Sequence, residues 1–251
     1  MAFEEILLPF FLFFTIATLY SSVGHAGASG YLAIMALLSF APESIKPTSL
    51  ILNIAVAAIA SVKFIGAGYF DRRIFLAFIL TSLPLAFLGG SLTIGPRYFK
   101  LIAGLFLIVS AVLLLAKQFI QKQEAPVKVM PFWVGLVFGA VIGLLSGLIG
   151  VGGGIFLSPI LIMFNWTNVK NASGISALFI LCNSLAGLGG HMTSLQKLDV
   201  SIVYWLVAVV IGGFLGSYLG TKKFNNKVIV GFLFLVLLTA GLKFVLVDFG
   251  K

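Results

Sequence analysis

Long apolar runs recur along this chain from Ile6 to Val247, with only short polar breaks between them. A helix needs about 20 apolar residues to cross a hydrocarbon core about 30 Å thick. The runs therefore dictate a chain built from membrane helices. They cover 5–23, 26–41, 47–66, 74–95 and 98–117, then 131–149, 152–164, 172–192, 200–221 and 227–248. Only 9% of the residues are charged, whereas a soluble domain needs about a quarter to cover its surface. The expected fold is all-α and polytopic, with no residues left for a separate extramembrane domain. The acidic start "MAFEEILLPFF" does not read as a cleavable signal peptide.

The ten runs are one unit of five written twice. Shifted by 127 positions, "PLAFLGGS" (84–91) falls on "IGGFLGSY" (211–218), Gly27 on Gly154 and Ser49 on Ser176. The copies span 1–117 and 131–251, joined by a polar linker at 118–130. Five is odd, so copies that cross five times are inverted relative to each other. On that topology ten of the 16 Lys and Arg residues gather on the linker side and six on the other. An excess of positive charge marks the cytoplasmic side, which places the linker inside and both termini outside, in the cytoplasmic membrane; if the short second runs re-enter without crossing, the split is nine to seven and favours neither side.

The second run of each copy is short and begins in glycine. A break of this kind in matching positions of two halves points to a transporter's substrate site near the midplane. Backbone that leaves a helix inside the bilayer must find partners or line a wet cavity. A helix that restarts there presents free N–H groups and a partial positive charge, which attract an anion. The second break reads "SGLIGVGGGIFLSPIL" (146–161), with Gly150, Gly152, Gly153 and Gly154 as candidate ligand-loop residues. The first reads "GHAGASGYL" (24–32) and offers Gly24, His25, Gly27, Ser29 and Gly30. Close helix packing is the competing role for such glycines.

"GVGGGIFLSPIL" resembles the Gly-x-Gly-Gly-Gly-x(4)-Pro signature of the TauE/SafE family of membrane permeases, named for sulfite export. "KPTSLILN" (46–53) and "ASGISAL" (172–178) resemble the element that follows it. The first copy departs from the signature, with Ala26, Ala28 and Ser29 among the glycines and Leu32 in place of the proline. The resemblance implies transport of a small sulfur-containing anion, such as sulfite or a sulfonate, or of an organic acid.

The polar residues suit that reading. The acids Glu4, Glu5, Glu43, Asp71, Glu124, Asp199 and Asp248 all fall at or near loops and termini. An intramembrane carboxylate would indicate a cation site or proton relay. What remains within the runs is neutral: Thr48, Ser49, Asn53, Ser173, Ser176 and Asn183 can donate hydrogen bonds to an oxyanion. Bonds between helices are their alternative role, worth about 1 kcal/mol each. His25 can add charge near neutral pH, and His191 reads as interfacial. Lys63 and Lys243 read as side chains reaching for headgroups.

Other functions are less well served. One cysteine, Cys182, allows no internal disulfide and no thiolate metal cluster. No cofactor site, phosphate-binding loop or basic nucleic-acid patch is present. Coupling to H⁺ or Na⁺ is compatible with the pattern, and so is a passive anion channel. "GASG" together with His191 superficially resembles a rhomboid-type intramembrane serine protease. Against that, position 156, the repeat partner of Ser29, is Phe, so the repeat keeps the glycine break and drops the hydroxyl. No catalytic residue is expected.

Overall fold

The computed structural model describes residues 3–22, 25–120, 127–191, 201–220 and 226–248. Each apolar run becomes one helix: α1 Phe3–Ser22, α2 Ala28–Leu37, α3 Pro42–Gly66, α4 Arg72–Ser91, α5 Pro96–Ile120, α6 Phe132–Ile149, α7 Gly154–Met163, α8 Val169–Gly190, α9 Ile202–Gly220 and α10 Asn226–Leu242. A π-helical stretch, Lys243–Asp248, continues α10. Helices α3, α4, α5, α6 and α8 are long and apolar enough to cross a membrane, and the others are shorter apolar helices over their described side chains. The protein is a polytopic membrane protein.

Local chemistry sets the helix starts. Asp71 caps α4, its Oδ1 accepting from the Arg73 N–H at 2.9 Å and the Ile74 N–H at 3.1 Å. Asn168 caps α8 by accepting from the Asn171 N–H at 2.9 Å. Prolines open α3 and α5, where a missing N–H costs nothing. Most bounds shift by a few residues, and α2 and α4 stop at Leu37 and Ser91, each four residues short of the expected 41 and 95. Helix α3 starts at Pro42 rather than at 47, because polar "PESIK" forms its first turn. Helix α5 runs to Ile120, three residues into the expected linker. Residues 121–126, with Glu124, and 192–200, with Asp199, lie outside the described residues.

Glycines let these helices touch backbone to backbone. A Cβ on Gly139, Gly143 or Gly147 of α6 would strike the carbonyls of Phe78, Ser82 and Ala86 of α4. On α9, Gly212 and Gly216 sit in the same way against Phe14 and Thr18 of α1. Spaced four apart, they line one face of each helix, where small residues permit close approach in lipid.

The contact registers also give directions. The numbering rises together in α4 and α6 (78 with 139, 86 with 147), so those helices are parallel, as are α1 and α9 (14 with 212, 18 with 216). Helix α3 also runs parallel to α9, with Val56 at Gly213 and Lys63 at Ser217. It runs antiparallel to α8, with Leu50 at Gly187, Asn53 at Ser184 and Phe64 at Gly174. Since α1 and α3 thus run the same way, the α2 segment must carry the chain back across. The two most extensive pairings among the described residues, α4 with α6 and α1 with α9, exchange when the first five helices are swapped for the last five.

The outside is apolar. Val62, Leu80, Phe87, Val112, Val137 and Phe214 are exposed, as suits side chains facing lipid tails. Exposed Tyr98 and Tyr204 stand at the starts of α5 and α9, and exposed Trp133 and Tyr218 at the start of α6 and the end of α9. Helix α4 runs parallel to α8 (82 with 183, 91 with 190) and so opposite to α9, which puts the first two on one membrane face and the last two on the other. Aromatic rings at both interfaces are the usual anchors of a spanning bundle.

Candidate functional site

Helices α2 and α7 have ten residues each. At 1.5 Å per residue such a helix is about 15 Å long, half of a hydrocarbon core. Both begin after a glycine in the left-handed region, Gly27 at φ 100° and Gly153 at φ 76°, and neither has a side-chain cap. A side chain at either position would strain the backbone. The uncapped first turns leave N–H groups without intrahelical acceptors, and the flanking residues 25–36 and 150–155 are buried. The capping glycines also refine the repeat register. Helices α1 and α6 end at Ser22 and Ile149, 127 apart, whereas α2 and α7 begin at Ala28 and Gly154, 126 apart. At these starts Gly27 therefore corresponds to Gly153 rather than to Gly154.

Both breaks are held by one turn of α3. The Ser49 hydroxyl donates to the Ala28 carbonyl at 3.2 Å, and the Asn53 amide donates to the Val151 carbonyl at 3.4 Å and to the Ser184 hydroxyl at 2.9 Å. Four residues separate Ser49 from Asn53, a rise of about 6 Å. A Cβ on Gly152 would lie 2.5 Å from the Asn53 Nδ2 and 2.6 Å from the Ser184 Oγ.

The remaining candidates divide. The Ser29 hydroxyl pairs with the Tyr20 hydroxyl at 2.8 Å, and Gly30 packs on Ile16 and Tyr20. His25 is buried in the first break, its backbone N–H donating to the Tyr20 carbonyl at 2.9 Å. The Ser176 hydroxyl pairs with that of Ser158 on α7 at 2.8 Å, and Gly154 packs on Ile180. Thr48 is buried beside Ser49. Ser173 is not brought to the breaks: its hydroxyl donates to the Val169 carbonyl one turn back, at 3.0 Å. Asn183 turns toward α4, its Oδ1 accepting from the Ser82 hydroxyl at 2.8 Å, so its neighbour Ser184 is the α8 residue that meets Asn53. Gly24 lies outside the described residues.

Two polar atoms at the second break, Asn53 Oδ1 and Ser146 Oγ, are buried without a partner among the described residues, as is Asn183 Nδ2 on the side toward α4. Each such group costs about 1–3 kcal/mol if it stays dry. Water or a ligand at the break would relieve that cost. Ser146 was missed in the sequence, although it lies one helical turn before Gly150 and its carbonyl accepts from the Gly150 N–H at 2.8 Å.

The basic side chains are more engaged than expected. Lys63 donates to the Ser217 carbonyl of α9 at 2.6 Å. Lys243 caps the C-terminal end of α2, donating to the carbonyls of Ala36 at 2.7 Å and Leu37 at 3.0 Å and to the Ser39 hydroxyl at 2.8 Å. Neither reaches freely for headgroups; both bond backbone carbonyls near helix ends, which lack intrahelical partners and which Lys side chains can cap. His191, just past the end of α8, bonds through Nδ1 to the Gly90 carbonyl at 3.2 Å. Ser29 and His191 thus bond to Tyr20 and Gly90, and no serine–histidine hydrogen bond joins them.

Burial, followed by the nearby Lys46, pushes the His191 imidazole below its ordinary 6.5, against the opposing pull of the Gly90 bond. The fold therefore favours the neutral ring, and this contribution to stability is in place above about pH 6.5 and fades as the pH falls below it. His191→Gln is expected to narrow the drop in melting temperature between pH 7.5 and pH 5. Thermal unfolding at the two pH values measures it.

A family model described as "Sulfite exporter TauE/SafE" matches residues 9–244. The chain belongs to the TauE/SafE family. A probable membrane transporter protein of Sinorhizobium fredii is 38% identical over 234 residues, which cover 92% of this chain and 94% of that protein. A second, from Bacillus subtilis, is 27% identical over 222 residues, covering 84% and 87% of the two chains. No solved structure matches. TauE/SafE proteins are membrane transporters, not enzymes, and the TauE/SafE match runs through both glycine breaks of this chain.

Proposed function

We propose that this TauE/SafE protein is a carrier for a small oxyanion, with sulfite, a sulfonate or a small carboxylate as the substrate class. It carries that substrate across the cytoplasmic membrane by alternating access between two inverted five-helix repeats. The observation that carries the reading is that one turn of α3 holds both breaks, Ser49 at Ala28 and Asn53 at Val151, each beside an uncapped, buried helix start. Half-length helices whose free N-terminal N–H groups face a buried break can bind an anion without a buried salt bridge. The unpaired Ser146 hydroxyl can donate to the anion. The unpaired Asn53 Oδ1 can accept from a protonated acid or hold a coupling cation. The parallel runs of α1, α3 and α9 and of α4, α6 and α8 support the inverted topology.

Asn53→Asp tests the sign of the site. It is nearly isosteric and places a negative charge at the second break. Labelled-sulfite flux in liposomes is expected to fall at least tenfold below that of Asn53→Ser. Equal flux in the two variants would refute an anion site at Asn53.

Orientation is tested separately. In a Cys182→Ser background, Tyr98→Cys and Trp133→Cys place thiols at exposed positions near opposite membrane faces. On intact cells a membrane-impermeant maleimide is expected to label position 98 and spare position 133. The reverse would put the termini inside.

A further inference from the structure

Lys46 is a buried charged side chain met so far only as a neighbour of His191. It is 5% exposed, in the second turn of α3. Its ammonium donates to the carbonyls of Gly90 at 3.2 Å and Gly89 at 3.4 Å, at the end of α4. Both bonds are long, and an ammonium has three donors. Among the described residues no carboxylate pairs with it.

The Lys46 side chain lines a cleft of about 280 Å³, together with His191, Phe99 and the loop from Leu92 to Pro96. Glu43 stands exposed at the mouth and already has a partner. The Lys46 side chain connects the cleft to the second break. A Cβ on Gly150 would lie 2.9 Å from the Lys46 Cγ, so the lysine stem packs directly on the first residue of that break. Lys46, Ser49 and Asn53 fall at i, i+3 and i+7, which is one face of a helix. The charge therefore sits about 10 Å below Asn53 on the stripe that holds both helix starts. The repeat does not copy it: position 173, its counterpart at 127, is Ser. One membrane face alone carries this cation.

We infer that the Lys46 cleft is a second oxyanion site, a one-sided vestibule where the anion docks before it reaches the breaks. The inference builds on the carrier reading but is tested by binding alone. The ligand chemistry is a small oxyanion, and a phospholipid phosphate could supply it as well as a soluble anion.

The test uses the purified full chain in neutral detergent and follows the unfolding midpoint against sodium sulfite or methanesulfonate at constant ionic strength. The wild type is expected to be stabilised saturably. Lys46→Gln keeps a donor for the α4 carbonyls and is expected to raise the half-saturating concentration at least tenfold. Lys46→Arg is expected to restore it to within threefold. Lys63→Gln, at the other membrane face, is expected to match the wild type. The Lys46-dependent stabilisation should persist in Asn53→Ala.

An unchanged curve in Lys46→Gln would overturn the vestibule, as would the absence of anion-specific stabilisation in the wild type. Stabilisation by phosphatidylglycerol but not by soluble anions would overturn it in favour of a lipid phosphate. Lys46-dependent stabilisation in a protein that carries no anion in liposomes would sink the carrier reading and leave the vestibule standing.

Discussion

Gly152→Ala is expected to abolish anion flux. The added methyl group would sit 2.5 Å from the Asn53 amide nitrogen and 2.6 Å from the Ser184 hydroxyl, driving apart the bond between α3 and α8 at the second break. Displacing buried partners of this kind costs about 1–3 kcal/mol each, so a loss of about a hundredfold in flux is expected. Backbone strain adds to it, because Gly152 has φ 72°. Gly68→Ala separates the two effects. Gly68 has φ 79° with nothing within 4 Å of its Cβ position, so it meets the same left-handed cost of about 1–2 kcal/mol without touching the breaks. Flux in liposomes is expected to survive Gly68→Ala and to vanish in Gly152→Ala. Equal losses would reduce Gly152 to a backbone requirement.

The second large effect is on assembly. In Gly147→Leu the new Cβ would run into the Ala86 carbonyl and lie 2.8 Å from the Gly90 nitrogen, both on α4. Two helix backbones would have to separate, and α4 with α6 is the most extensive helix pairing among the described residues. The expected destabilisation exceeds about 4 kcal/mol, enough to prevent recovery of a monodisperse protein in detergent. Gly231→Leu is the matched control. Gly231 lies inside α10 with nothing near its Cβ position, and leucine there gains about 0.5–1 kcal/mol of helix propensity. Size-exclusion chromatography of the two variants reads out the difference.

Much of this architecture was legible because membrane helices announce themselves one at a time. Each apolar run became one helix, and the short runs at 26–41 and 152–164 became the ten-residue α2 and α7. The glycine breaks were legible for the same reason: a run that stops short of a full span must stop somewhere. What did not show was lateral. Which face of α8 meets α3 depends on packing angles, so Ser184 took the place assigned to Asn183, and Ser173 spent its hydroxyl on its own helix. Lys46 was hidden because the apolar signal of α3 begins at Pro47, whereas the helix begins at Pro42. That difference moves the lysine from a loop into a buried second turn. Tyr20 and Ser82 lie outside the glycine motifs, and only the fold brings their hydroxyls to Ser29 and Asn183.

The carrier reading rests on an anion site at two half-helix starts held by one turn of α3. The most direct measurement of it is labelled-sulfite flux into liposomes holding the wild-type protein, followed against sulfite concentration with methanesulfonate and acetate as competitors. The account predicts flux that saturates, is inhibited competitively by at least one of these anions, and falls at least tenfold in Asn53→Asp. Flux that rises linearly with concentration would mean an open pore, and no flux of any anion through a folded wild type would contradict an anion site at the breaks.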